Sequence, residues 1–315
     1  MKKFFEILYY IISAGRPRQW IKNFAVYVGL IFSQRLFEVE SFFTTTQAFI
    51  IFCLLSSFTY YINDIRDRDR DRKHPSKKYR PIASGKLDWK LAMIIAVILL
   101  LFSLYWAYLL SEYFFILAFS YISLTTAYSL FLKNFAIVEA ITVAMGFVFR
   151  VMGGALAISV PISSWLTVCT ISLALLISFG RRKAEITLMG FQKAAKHRPV
   201  LAKYPRKYLE VMISSLASAT FISYIMFTYN YDQSSNLTII SEELLPNTLK
   251  DPKWMMLTIP ITFYALSRYL YLIYNKKEKG EPEKLVTTDM PFLFSMISWL
   301  LGILLIIYAP SDIIR

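Results

Sequence analysis

The chain has 315 residues, of which 56% are hydrophobic, 17% aromatic and only 18% charged, against about 25% charged in ordinary soluble domains. The apolar residues fall into runs long enough to cross a bilayer, roughly 20 residues each, and a soluble protein of this length has too small an interior for so many buried helices. The formal charge of +14 gathers in the segments between these runs, so binding to nucleic acid is not needed to explain it.

The segment from Met1 to Tyr10 combines Lys2 and Lys3 with apolar residues, and Gly15, Arg16 and Pro17 follow without a small-residue cleavage site. An interfacial amphipathic segment is expected there, not a removable signal peptide. About nine spans are expected after it, near 20–37, 41–62, 91–110, 113–132, 135–158, 162–180, 208–229, 254–274 and 290–309. The first is the weakest, because Lys22, Asn23 and Arg35 interrupt it. Cys53 and Cys169 lie inside spans and are expected to pack without forming a disulfide. No internal repeat, linker or second soluble domain is visible. The expectation is an all-α polytopic membrane protein, a single integral domain over 1–315, with active-site loops at about 63–90, 181–207 and 275–289.

Lys and Arg in short loops mark the cytoplasmic side. With the N-terminus inside, only Arg35, Lys250, Lys253 and Arg315 of the 35 basic residues fall on the opposite side, and Arg150 and Arg268 lie within spans. The C-terminus is then outside and the membrane is the cell membrane. The outer loop 230–253 carries Asp232, Glu242, Glu243 and Asp251, and its Asn236-Leu237-Thr238 matches a glycosylation acceptor, a weak pattern.

The sharpest feature follows the second span: Asn63, Asp64, Asp67 and Asp71, interleaved with Arg66, Arg68, Arg70 and Arg72. In a continuous helix Asp64, Asp67 and Asp71 share one face, and Asn63, Asp67 and Asp71 recur every fourth residue. Carboxylates crowded at a helix C-terminus repel one another and meet the unfavourable end of the dipole. A hard cation would offset that, and oxygen ligands beside phosphate chemistry favour Mg²⁺. Next come His74-Pro75 and Lys77, Lys78 and Arg80, a proline-stiffened loop carrying phosphate-binding charge. His74 beside a proline reads more simply as a surface residue. Tyr128 with Lys133 ends the fourth span, and Arg181, Arg182, Lys183 and Glu185 leave the sixth, on the same expected side. Each basic residue alone reads as a lipid anchor; their coincidence with the carboxylates argues for a site that holds a Mg²⁺-polyphosphate. Within the fifth span Glu139 and Arg150 lie roughly 16 Å apart along the axis and are expected to pair with neighbouring helices, not with each other. Gly153 and Gly154 there read as a close helix approach.

This arrangement resembles the UbiA superfamily of intramembrane prenyltransferases, in which Asn-Asp-x-x-Asp-x-x-x-Asp follows the second of about nine helices. The superfamily usually adds a second Asp-x-x-x-Asp after the sixth span, where this sequence has Arg181, Arg182, Lys183 and the single acid Glu185. That departure is similar to the branch of decaprenyl-phosphate phosphoribosyltransferases. The matching stretches are Arg16 to Asn23, the aspartate motif running on to Arg80-Pro81-Ile82-Ala83, Tyr128-Ser129 with Lys133, Arg150 with Gly153-Gly154, Arg182-Lys183 with Glu185, and Pro282-Glu283 with Asp289.

The resemblance implies transfer of 5-phosphoribose from phosphoribosyl pyrophosphate (PRPP) to a polyprenyl phosphate, with release of diphosphate and with Mg²⁺ as cofactor. It implies Asn63, Asp64, Asp67 and Asp71 as the metal set, with Asp64, Asp67, Asp71, Lys133 and Glu185 closest to the chemistry. Asn63, Lys78, Arg80, Tyr128, Lys133, Arg182 and Lys183 would hold the donor, and Arg18, Gln19 and Lys22 the acceptor phosphate. Asp289 is expected at the same mouth without an assigned role. The alternative within the superfamily is a prenyltransferase using a prenyl diphosphate, on the way to a quinone, haem or ether lipid. A transporter or flippase is disfavoured because the charges cluster at one mouth and no repeat symmetry is visible. Oligomeric state is not legible.

Overall fold

The computed structural model describes residues 2–74, 77–190, 192, 199–231, 253–275 and 288–308. Pro75, the acids of the outer loop, the Asn236 pattern and the Pro282-Glu283 pair lie outside the described residues. Among the described residues there is helix and no strand. The helices are α1 (Lys2–Ala14), α2 (Tyr27–Phe32), α3 (Val39–Arg66), α4 (Arg68–Arg72), α5 (Trp89–Leu110), α6 (Glu112–Leu130), α7 (Val138–Ala157), α8 (Ser164–Met189), α9 (Arg206–Asn230), α10 (Ile259–Tyr274) and α11 (Met290–Tyr308).

Eight helical stretches are long and apolar enough to cross a membrane. The protein is a multi-pass membrane protein. The expected first span over 20–37 keeps its course in another form: Pro17–Val26 is a 3₁₀ helix followed by the short α2, running antiparallel along α3 with Trp20 at Ser57, Asn23 at Cys53 and Tyr27 at Thr46. The reason is the polar content that weakened the expectation. Asn23 is fully buried and its amide reaches Cys53 Sγ at 3.1 Å, so the segment is held against the protein by a side chain that lipid would reject. Apolar residues facing outward, such as Ile94, Ile98, Leu101 and Tyr105 on α5, would be costly in water and suit hydrocarbon.

The chain divides into two compact units, Met1–Leu132 with Gly146–Pro161, and Lys133–Met145 with Ile162–Arg315. In the first unit, Phe52 packs edge-on against Phe114 and Tyr121, and the fully buried Ala92 and Ala96 join that core from α5, small enough for close helix approach. In the second, Leu176 and Phe179 of α8 share a core with Leu209 and Ile213 of α9. Tyr224 bonds Thr258 at 2.6 Å and accepts from Trp299 Nε1 at 2.8 Å, joining α9 to α11 through the turn before α10.

Candidate active site

In the first unit, the helix carrying the aspartates does not run on as expected. It ends at Arg66, Asp67 sits at φ −89° and ψ 7°, and α4 starts at Arg68. Asp64 and Asp71 are nevertheless brought together, both 2% exposed. The agent is Arg80, whose Nη1 donates to Asp64 Oδ1 at 3.1 Å and to Asp71 Oδ2 at 2.5 Å. Arg16 Nη2 also donates to Asp64 Oδ1, and its guanidinium lies over the Tyr60 ring. Two buried carboxylates without partners would be prohibitive; here each has a charge-assisted bond.

Local sequence explains the placement. After Arg80 the chain sinks Ile82, Ala83 and Leu87 into the core, with Leu87 N–H on Pro81 O and Arg72 Nε on Ala83 O. Arg80 is therefore delivered by an anchored turn. Arg16 has a left-handed backbone (φ 53°) between Gly15 and Pro17. The interleaved arginines do turn elsewhere: Arg66 donates to the Ser129 and Leu130 carbonyls, and Arg68 lies over Trp89. Asp67 is half-buried and, among the described residues, has no ion pair; Asn63 is half-buried beside Asp64.

Among the described residues no three Asp, Glu, His or Cys side chains gather as a metal cage. Mg²⁺ does not need one, since it is commonly held by one or two carboxylates together with substrate phosphates and water. Asp64 and Asp71, which share the Arg80 guanidinium, are of the type that fits such binding. His74 Nδ1 accepts from the Lys77 N–H, a turn contact. Lys78 is exposed over Tyr79. Arg18 is exposed and Gln19 and Lys22 half-buried on the 3₁₀ segment; Tyr128 and Lys133 are half-buried.

The second unit holds a different cluster. Arg182, expected on a donor phosphate, is 1% exposed and forks onto the buried Glu139, Nε to Oε1 and Nη2 to Oε2. Tyr204 OH donates to Glu139 Oε1 at 3.2 Å and accepts from the Ile137 N–H at 2.7 Å. Burial, with the Glu139 charge beside it, pushes the Tyr204 hydroxyl up to about 12. Lys183, also expected on the donor, donates to Glu210 Oε1 at 2.5 Å. Glu185 accepts from Arg181 Nε at 3.2 Å and faces Arg182. A guanidinium inside a hydrophobic core must be neutralised there, which Glu139 does for Arg182. Asp289, unassigned in sequence, is bracketed by Arg268 (Nε to Oδ1 at 3.1 Å, Nη2 to Oδ2 at 2.7 Å) and caps α11 through the Phe292 N–H. The bonds from Arg268 hold its carboxyl below the usual range.

Sequence reasoning assigned no role to Arg16, and none to Tyr204. Arg16 stands 48 positions from its aspartate, and Tyr204 stands 65 positions from Glu139. Only the lone acid at Glu139, already costly in a span, signalled that a partner had to exist.

A family model described as the UbiA prenyltransferase family matches residues 23–241. The chain belongs to this family. Over 297 residues it is 32% identical to a decaprenyl-phosphate phosphoribosyltransferase of Mycolicibacterium smegmatis, a match spanning 92% of this chain and 90% of the relative. A protein of the same name from Mycobacterium tuberculosis is 29% identical over 295 residues, covering 92% and 91%. Among solved structures, a UbiA homolog from Archaeoglobus fulgidus bound to GPP and Mg²⁺ superposes with a TM-score of 0.65 at 16% identity, over 93% of this chain and 96% of that one. This UbiA-family chain is a membrane transferase with the fold of that group.

Proposed function

We propose that the protein transfers 5-phosphoribose from PRPP to a polyprenyl phosphate, releasing diphosphate. The observation that carries the reading is the match over nine-tenths of the chain to relatives bearing that name. The residue chemistry supports it. A phosphate oxygen of the acceptor, already ionised at neutral pH, bonds to the anomeric carbon while the bond to diphosphate breaks and that group leaves with the electron pair. No general base is required. The difficulty is the departure of diphosphate from an anomeric carbon that becomes oxocarbenium-like, and fixed cations offset the negative charge that develops on the leaving group.

Asp64, Asp67 and Asp71, with Asn63, would hold Mg²⁺ and, through it, the diphosphate. Bound there, the metal would neutralise leaving-group charge. Arg80 and Arg16 flank those carboxylates and would receive phosphate oxygens; Lys78, Tyr128 and Lys133 would complete the donor contacts. Glu185 would meet ribose hydroxyls. Arg182 and Lys183, held by Glu139 and Glu210, brace the helices of the second unit in this reading. Arg18, Gln19 and Lys22 would take the acceptor phosphate. The membrane is the cell membrane, with the N-terminus and loops 63–90, 181–207 and 275–289 cytoplasmic and the C-terminus outside.

The test uses purified protein in detergent with labelled PRPP, a polyprenyl phosphate and Mg²⁺. Label entering the lipid phase, dependent on Mg²⁺ and abolished by Asp67→Asn, is the expected result. Absence of transfer together with turnover of a prenyl diphosphate would replace this reading with an ordinary prenyl transfer.

A further inference from the structure

Arg150 lies inside the apolar helix α7, is 9% exposed and, among the described residues, has no carboxylate partner. Its fork is filled by neutral groups. Nε donates to Asn23 Oδ1 at 2.6 Å, Nη1 to Gly146 O at 2.6 Å and Nη2 to Tyr121 OH at 2.9 Å, and the guanidinium lies over the Tyr121 and Phe147 rings. A charge buried in a span at such cost needs a reason. Its contacts to Gly146, Phe147 and Tyr121 are to α7 itself or to α6, which are already held by packing. The contact to Asn23 is the exception, because Asn23 belongs to the 3₁₀ segment, which has only short helical hydrogen bonding of its own.

That segment is fixed at several points, and Arg150 is at the centre of them. Asn23 also bonds Cys53, and Trp20 Nε1 donates to Ser57 Oγ at 3.1 Å. One turn beyond Arg150, a Cβ at Gly154 would stand 1.8 Å from Val26 O, so α7 and the end of the segment touch backbone to backbone. Immediately before the segment stands Arg16, bonded to Asp64. Along it stand Arg18, Gln19 and Lys22.

We infer that Arg150 is a positioning residue: through Asn23 it fixes the 3₁₀ segment Pro17–Val26 in the pose that presents the acceptor-phosphate residues. The inference rests on the phosphoribosyl-transfer reading for its kinetic half, and on geometry alone for its structural half. A planar fork serving three acceptors at once is a task for guanidinium that a lysine ammonium on a flexible stem cannot reproduce.

The experiment combines hydrogen–deuterium exchange with kinetics on the full chain in detergent, for Arg150→Met, Arg150→Lys and Asn23→Ala. Exchange over residues 17–26 should rise about tenfold in each, as loss of bonds to a charged group implies, while α5 stays protected. The KM for polyprenyl phosphate should rise about tenfold with the KM for PRPP within about twofold. Unchanged exchange at 17–26, or full restoration by lysine, overturns the inference. So does raised exchange in an active enzyme whose loss is confined to kcat with both KM values intact. Should the parent protein transfer no ribose phosphate while exchange rises as stated, the positioning role stands and the substrate reading falls. If Arg150→Met does not fold, Asn23→Ala cuts the same tie and leaves the arginine in place.

Discussion

The two units each bring arginine to carboxylate, and the two solutions differ in access. In the first, Asp64 and Asp71 are buried, but the side chains of Arg16 and Arg80 that meet them are 29% and 28% exposed. In the second, Glu139 and Arg182 are both sealed, at 0% and 1%. A guanidinium with one edge in water can turn to another anion at little cost, whereas one with no edge in water cannot leave without stranding a charge. The first cluster leaves an edge of each guanidinium open to water, and the second leaves none.

The largest effect should come from the exchangeable cluster. Asp64→Asn or Asp71→Asn should lower transfer by about 10³-fold, the scale of losing a principal electrostatic stabiliser, with melting in detergent moved far less. The comparison breaks if activity survives. Next is the sealed pair. Arg182→Met should cost about 3–5 kcal/mol of stability by leaving Glu139 uncompensated, and pairing it with Glu139→Leu should recover most of that, measured by thermal melting of single and double variants. A smaller effect separates binding from folding: Arg80→Lys keeps charge but loses the fork, and should raise the KM for PRPP about tenfold with stability within about 1 kcal/mol. The smallest is Tyr204→Phe, at about 1 kcal/mol for a hydrogen bond. It also carries a pH signature. Burial raises the hydroxyl's pKa to about 12 in the fold, above the value near 10 of the unfolded chain. The folded state therefore binds the extra proton between those values, and stability from this group is intact below about pH 10 and lost as pH climbs towards 12. Melting curves of parent and Tyr204→Phe should converge over that window.

Span positions were legible because apolarity and length alone decide them; eight helices lie where hydropathy placed them. The segment 20–37 was not, because its conformation depends on Asn23 finding Cys53 and Arg150, partners at sequence separations of 30 and 127. For the site, residue type announced the carboxylates. Helical periodicity brought Asp64 and Asp71 together correctly but for the wrong reason: the helix breaks at Asp67, and Arg80 makes the connection. The partners of Arg182 and Lys183 were not legible, because a count of cations near a helix end does not say which of them already face a carboxylate. Glu139 and Glu210, which claim them, lie far along the chain.

Among the described residues Arg66 bonds main-chain oxygens, those of Ser129 and Leu130 at the end of α6. A bond to carbonyls is blind to side-chain identity, so Arg66 itself asks nothing of the side chains at positions 129 and 130. Length is another matter. Removing one residue from α6 would swing its terminal carbonyls about 100° around the axis and away from the guanidinium. This tie depends on the number of residues in the helix and not on which side chains end it.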